Sequence, residues 1–190
     1  MVRTTGLKTE YTPIKKIGDN VYKVSWDYED VIEPVYADLT EEERRKVDNG
    51  EFVERTKIGE QDTDYCSYMY EYIYFKPTIE YLKSMILDWY NKQIDQKILS
   101  GFTWNDMPIW LSTENQFNYK AAYDIAVQTQ GQSLPVTFKF GTTNEPVYHQ
   151  FQSVEEFSQF YLAAMSYINT TLAEGWVKKD SIDWALYEIQ

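Results

Sequence analysis

Between residues 77 and 101 apolar side chains recur at steps of three and four. Ile79, Leu82, Ile86, Trp89, Tyr90, Ile94 and Ile98 thereby fall on one face, which predicts a long amphipathic helix. Pro77 and Thr78 suit its first turn and Gly101 its end. Upstream the period changes to two. Residues 20–27, NVYKVSWD, predict a strand with Tyr22, Val24 and Trp26 on the buried face, and an acidic run then leads through Pro34 into a short second strand. Thr40 and Glu43 stand at capping-box spacing and open a small, mostly polar helix over residues 39–50. Residues 51–58 predict a further strand, and residues 59–64, GEQDTD, a turn or loop. In residues 65–75 the side chains of Tyr68, Tyr70, Tyr72 and Tyr74 sit two apart and share one face of a strand, with Met69, Ile73 and Phe75 on the other.

Downstream of the long helix, residues 102–111 read as a hairpin around Asn105-Asp106. Ser112 or Thr113 caps a second helix ending at Gly131. Its apolar face is either Phe117, Ala121, Ile125 and Gln128 or Ala122, Tyr123 and Val127. Residues 134–140 and 146–151 predict two more strands. Ser153 and Glu156 repeat the capping-box spacing before a third helix with Phe157, Phe160, Tyr161, Ala164, Ile168 and Leu172 on one face. Gly175 ends or interrupts it, and a last helical turn follows with Ile182 and Leu186 inward. The pattern is α+β: an N-terminal β-rich region, then a helix–hairpin–helix–hairpin–helix domain whose strands are antiparallel, since connections this short cannot make parallel crossovers. The reading divides the chain into an extended arm at 1–16, a β-rich attachment region at 17–76 and an α+β domain at 77–190.

Charge sharpens the picture of partners. The net charge is −12, which argues against nucleic acid, because a polyphosphate needs a cationic footprint. Residues 1–16 are the local exception: Arg3, Lys8, Lys15 and Lys16 stand against Glu10, a net +3, so the arm is a candidate for docking on an acidic neighbour. Seventeen tyrosines exceed what an ordinary core uses and raise the expectation of protein–protein contact, with Tyr68, Tyr70, Tyr72 and Tyr74 as the candidate contact face. No segment reaches the length of an apolar membrane span, and the first residues lack the apolar core of a signal peptide, so the expectation is a soluble chain folded in a cytoplasm without a membrane partner.

Candidate chemistry changes little. Cys66 is the only cysteine and His149 the only histidine, which excludes an intrachain disulfide and a multi-histidine metal site. The acidic groups at Asp27, Glu29 and Asp30, at Asp62 and Asp64, and at Asp180 and Asp183 lack the ligand spacing of a calcium loop. There is no glycine-rich phosphate loop. The reading assigns no catalytic residue, metal or cofactor.

Residues 98–112, ILSGFTWNDMPIWLS, followed by NQFNYKAAY, resemble an uncharacterised C-terminal domain of bacteriophage tail and tail-fibre-assembly proteins. The likeness rests on Gly101-Phe102-Thr103, Leu111-Ser112, Gln116 with Asn118, the segment from Phe138 to Val147, and that from Glu155 to Ile168. LTEEERRKVDNGE looks like a segment of small tail-fibre-assembly chaperones. The resemblance implies a non-enzymatic virion structural protein, made in the host cytoplasm and located in the particle. It would be an adaptor or decoration on a tail or head fibre, holding other phage structural proteins and further copies of itself. A tail-fibre assembly chaperone is the alternative, and a small glycan-acting enzyme using a carboxylate pair is a third reading. WDYEDVIEP and YMYEYIYF match nothing in that family.

Overall fold

The computed structural model describes residues 1–189. The chain is mixed α and β, with an antiparallel sheet in its N-terminal part and, among the described residues, four α-helices. It divides into two compact units. One is Met1–Leu82 with the C-terminal segment from Trp184, and the other is Lys83–Asp183.

In the first unit, strands β1 (Val2–Leu7), β2 (Ile14–Gly18), β3 (Val21–Tyr36) and β4 (Lys57–Ile73) form one sheet in the order β1-β4-β3-β2, all neighbours antiparallel. The register sets Tyr22 opposite Ile73 and Trp26 opposite Met69, so Tyr22, Val24, Trp26, Met69 and Ile73 are buried on one face. Each such side chain contributes roughly 1.5–3 kcal/mol by leaving water.

Residues 1–16, read from sequence as an arm, are woven into this sheet. β1 pairs along its whole length, from Val2 opposite Tyr70 to Leu7 opposite Tyr65, and β2 pairs with the start of β3. The ladder satisfies backbone donors and acceptors that a free arm leaves to water. Gly6 has a role in packing: a Cβ there would stand 3.3 Å from Tyr68 Oη, so its absence lets that ring close over the strand. Pro13 needs no donor, and its carbonyl accepts Ser25 N–H at 2.7 Å.

β3 and β4 are longer than the alternation predicts. The acidic run and Pro34 lie inside β3, and residues 59–64, predicted as a turn or loop, lie inside β4, in register from Ile32 opposite Asp62 to Val35 opposite Gly59. Residues 51–56 have no regular structure. Bulges between Trp26 and Glu29 and between Asp30 and Ile32, with Asp27 at φ +54°, mark where the buried half of β3 gives way to the exposed half. Between the two strands sits α1 (Glu41–Asp48), whose capping box is present: Glu43 N–H donates to Thr40 Oγ1, and Thr40 N–H to the Glu43 carboxylate at 2.8 Å.

The long predicted helix is α2 (Ile79–Ser100), with Leu82, Ile86, Tyr90 and Ile94 buried and Thr78 Oγ1 accepting from Tyr81 N–H. Its first turn belongs to the first unit and the rest to the second. Then come β5 (Phe102–Trp104) and β6 (Met107–Ile109), paired across Asn105 and Asp106, both at positive φ as a type I′ turn requires. After α3 (Thr113–Gln128), β7 (Val136–Gly141) pairs with β8 (Pro146–Phe151), and α4 (Val154–Asp180) follows. The core of this unit is aromatic: Phe102, Tyr119, Phe140, Phe151, Phe157 and Phe160 are all buried, with Phe151 stacked on Phe157 at 4.6 Å.

Three expectations are revised here. On α3 the Phe117 and Ile125 alternative points to solvent; of the other, Ala122 and Tyr123 turn inward beside Tyr119 and Ala126 while Val127 is exposed, and Tyr119 meets Phe160 edge-on at 5.2 Å and Tyr123 stacks on Tyr161 at 4.8 Å. α4 runs straight through Gly175, where a Cβ would collide with Ile94, so the glycine permits close helix approach rather than ending the helix. At the C-terminus, Trp184–Tyr187 form a 3-10 turn of the first unit in which Leu186 is exposed and Tyr187 is buried, its hydroxyl donating to Ser25 C=O at 2.9 Å.

Candidate interaction surface

The cations of residues 1–16 have separate fates. Arg3 ion-pairs with Asp27 and, at 3.6 Å, with Glu29, and donates to Ser67 Oγ at 2.9 Å. Lys8 reaches Asp30 at 2.8 Å and Asp62 at 2.6 Å. Hydrogen bonds to these two carboxylates hold its ammonium well above the ordinary lysine range, and hydrogen bonds from Lys8 and then Tyr28 hold Asp30 below the usual carboxylate range. Both side chains are thus occupied within the unit, fastening β1 and its exit to β3 and β4. Lys15 and Lys16 remain exposed on the edge strand β2, and Lys15 lies directly opposite Lys23. Lysines on an edge strand discourage indiscriminate pairing.

The four tyrosines are unequally exposed, and Tyr70 lies edge-on to Tyr72 at 5.4 Å. Tyr68 is buried, 8% exposed, with Tyr11 edge-on at 5.1 Å and Lys23 Nζ donating to its hydroxyl at 3.2 Å. Lys23 also lies 4.8 Å from the centre of the Tyr70 ring, and Tyr70 is half-buried. Tyr72 is exposed, and Tyr74, beyond the end of β4, is 74% exposed. Beside Tyr68 a cleft of about 730 Å³ is lined by Thr9, Tyr11, Thr12, Lys15 and Lys23.

The most distinctive surface was not marked by the sequence reading. Past the four-stranded region β3 and β4 continue alone as a two-stranded ribbon that carries α1 at its end, and no residue from 28 to 65 is buried. Apart from its ladder the ribbon is held by light contacts: Thr63 Oγ1 donates to Val31 C=O at 2.7 Å, Ala37 N–H to Thr56 C=O at 2.9 Å, and the Arg55 guanidinium lies 5.0 Å from the Tyr36 ring centre. Phe52 is 92% exposed and Ile58 64%, and Ile32 and Val47 are also exposed. Residues 28–65 hold thirteen acids and five cations, a net −8 within the chain's −12. In the sequence the ribbon shows only as two polar runs of similar length on either side of a capped helix, without a hydrophobic period.

His149 Nε2 lies 3.0 Å from Glu156 Oε1, and Glu156 Oε2 accepts from Gln152 N–H, so this pair ties β8 to the start of α4. Cys66 is buried, and desolvation pushes its thiol up. Among the described residues no group of three or more His, Cys, Asp or Glu is placed to hold a metal ion, and no helix is long and apolar enough to cross a membrane. No family model, no curated protein and no solved structure matches the chain.

Proposed function

We propose that the chain is a non-enzymatic structural protein of a bacteriophage particle, an adaptor or decoration on a tail or head fibre that acts through protein–protein contacts. The observation that carries this reading is the ribbon of residues 28–65. Its strands and α1 are regular structure without a buried side chain, and it displays Ile32 and Ile58 from the strands and Phe52 from the irregular segment 51–56 to water. A two-stranded ribbon alone is marginal in water, and exposed apolar side chains gain by being covered, so a neighbouring subunit relieves both costs. The resemblance of residues 98–112 and 115–123 to phage tail sequences supplies the kind of assembly. In this reading the first unit attaches, and the helix–hairpin–helix–hairpin–helix order after residue 77 is the displayed module. The net charge of −12 supports protein rather than nucleic acid as the partner.

Quantitative mass spectrometry of purified particles tests this. The chain is expected at a fixed copy number alongside the fibre or tail components. Its presence in infected cells but absence from mature particles overturns the proposal in favour of an assembly chaperone.

A further inference from the structure

We propose that the open edge of β4, residues 57–64, is a strand-addition site for an extended, lysine- or arginine-bearing segment of a partner protein. This rests on the reading of the chain as an assembly component and names what its ribbon holds.

The edge follows from the registers. β1 covers β4 only from Tyr65 to Tyr70, whereas β3 pairs with it as far as Lys57. Residues 57–64 therefore have a strand on one side only. An antiparallel strand directs backbone N–H and C=O groups alternately to its two sides, so this stretch presents a row of them outward. Two other edges carry features that discourage pairing: Lys15 and Lys16 on β2, and Pro34, which lacks an N–H, in the exposed part of β3; the outer edge of β1 is also free and presents Arg3 rather than acids. The β4 edge has no proline, and at Gly59 there is open space where a side chain would be.

Charge selects the occupant. Glu60, Asp62 and Asp64 share one face of this stretch, Glu60 held by Lys57 at 2.6 Å and Asp62 by Lys8, within a ribbon whose net charge is −8. The chain itself shows how a lysine is received there: Lys8, the first residue after β1, places its ammonium on Asp62 at 2.6 Å and Asp30 at 2.8 Å. Past the 3-10 turn Lys8–Glu10, which follows β1 and packs on β4, a partner strand would bring its own cations beside Glu60. Ile58, 64% exposed, offers an apolar contact next to Glu60. A second copy would bring an equally acidic edge, and like charges directly opposite disfavour that pairing.

The test uses the full chain and a ten-residue capped peptide alternating lysine with valine, compared with the same peptide carrying glutamate for lysine. Hydrogen–deuterium exchange is read residue by residue during titration. The expected result is slowed exchange at amides within residues 57–64 and binding at least tenfold tighter for the lysine peptide. The Glu60→Lys, Asp64→Lys double variant, checked for native circular dichroism, should invert that preference; if it fails to fold, the comparison of the two peptides on the unaltered chain decides alone. Equal binding of both peptides, no protection at 57–64, or protection confined to β1 or β2 overturns the proposal. So does protection produced by raising the protein's own concentration without peptide, which would assign the edge to a second copy. The particle measurement above is independent, so an occupied edge in a protein absent from virions separates this inference from the reading on which it rests.

Discussion

Tyr11 shows how a single residue ties distant parts of the first unit together. Its ring lies edge-on to Tyr28 at 4.9 Å and to Tyr68 at 5.1 Å, and burial pushes its hydroxyl up to about 12. An ordinary tyrosine titrates near 10. The folded state therefore keeps a proton that the unfolded chain releases at lower pH. This contribution to stability is complete below about pH 10 and is lost as the pH rises through about 12. Urea denaturation followed across that window should show stability falling steeply, and Tyr11→Phe should flatten the fall for the first unit. Tyr119, also pushed up to about 12 by burial, gives the same test in the second unit. An unchanged slope in Tyr11→Phe would show that its ionisation is not linked to folding.

At the scale of elements, β4 contains both the most and the least legible parts of the fold. Its alternation of tyrosines is visible in sequence, but their inequality is not. Tyr68 is covered by Tyr11, which is brought there by β2 pairing, whereas Tyr72 and Tyr74 have nothing above them that buries them. Tyr68→Ala should cost about 3 kcal/mol in thermal or urea unfolding, as expected for a buried ring. Tyr74→Ala should stay within about 0.5 kcal/mol, and Tyr72→Ala, which loses its edge-on contact with Tyr70, should cost about 0.5–1.5 kcal/mol. A large loss at Tyr74 would place it in a core instead. The caps at Thr40 and Ser153, the Asn105-Asp106 turn and the stripe of α2 were all readable because their determinants lie within a few residues of each other. The sheet positions of residues 2–7 and 59–64 were not, because pairing partners stand dozens of residues away and an unburied ribbon carries no hydrophobic period to announce it.

For the molecule as a whole, the ribbon sets fold and function apart. Because no residue from 28 to 65 is buried, its outer part should be removable without dissolving the core beneath it. Glu33 and Gln61 face each other across the ladder, so replacing residues 34–60 by Asn-Gly closes a two-residue hairpin at that pair. The bonds of Lys8 to Asp30 and Asp62 lie on the retained side of the cut. The shortened chain should keep native near-ultraviolet circular dichroism and a cooperative thermal transition within a few degrees of the parent. It should also fail to enter particles when it is the only copy supplied during infection. Normal incorporation would move attachment to another surface, with the exposed Tyr72 and Tyr74 next in line. Loss of the cooperative transition would mean that the ribbon stabilises its own unit through backbone pairing alone, despite burying no side chain.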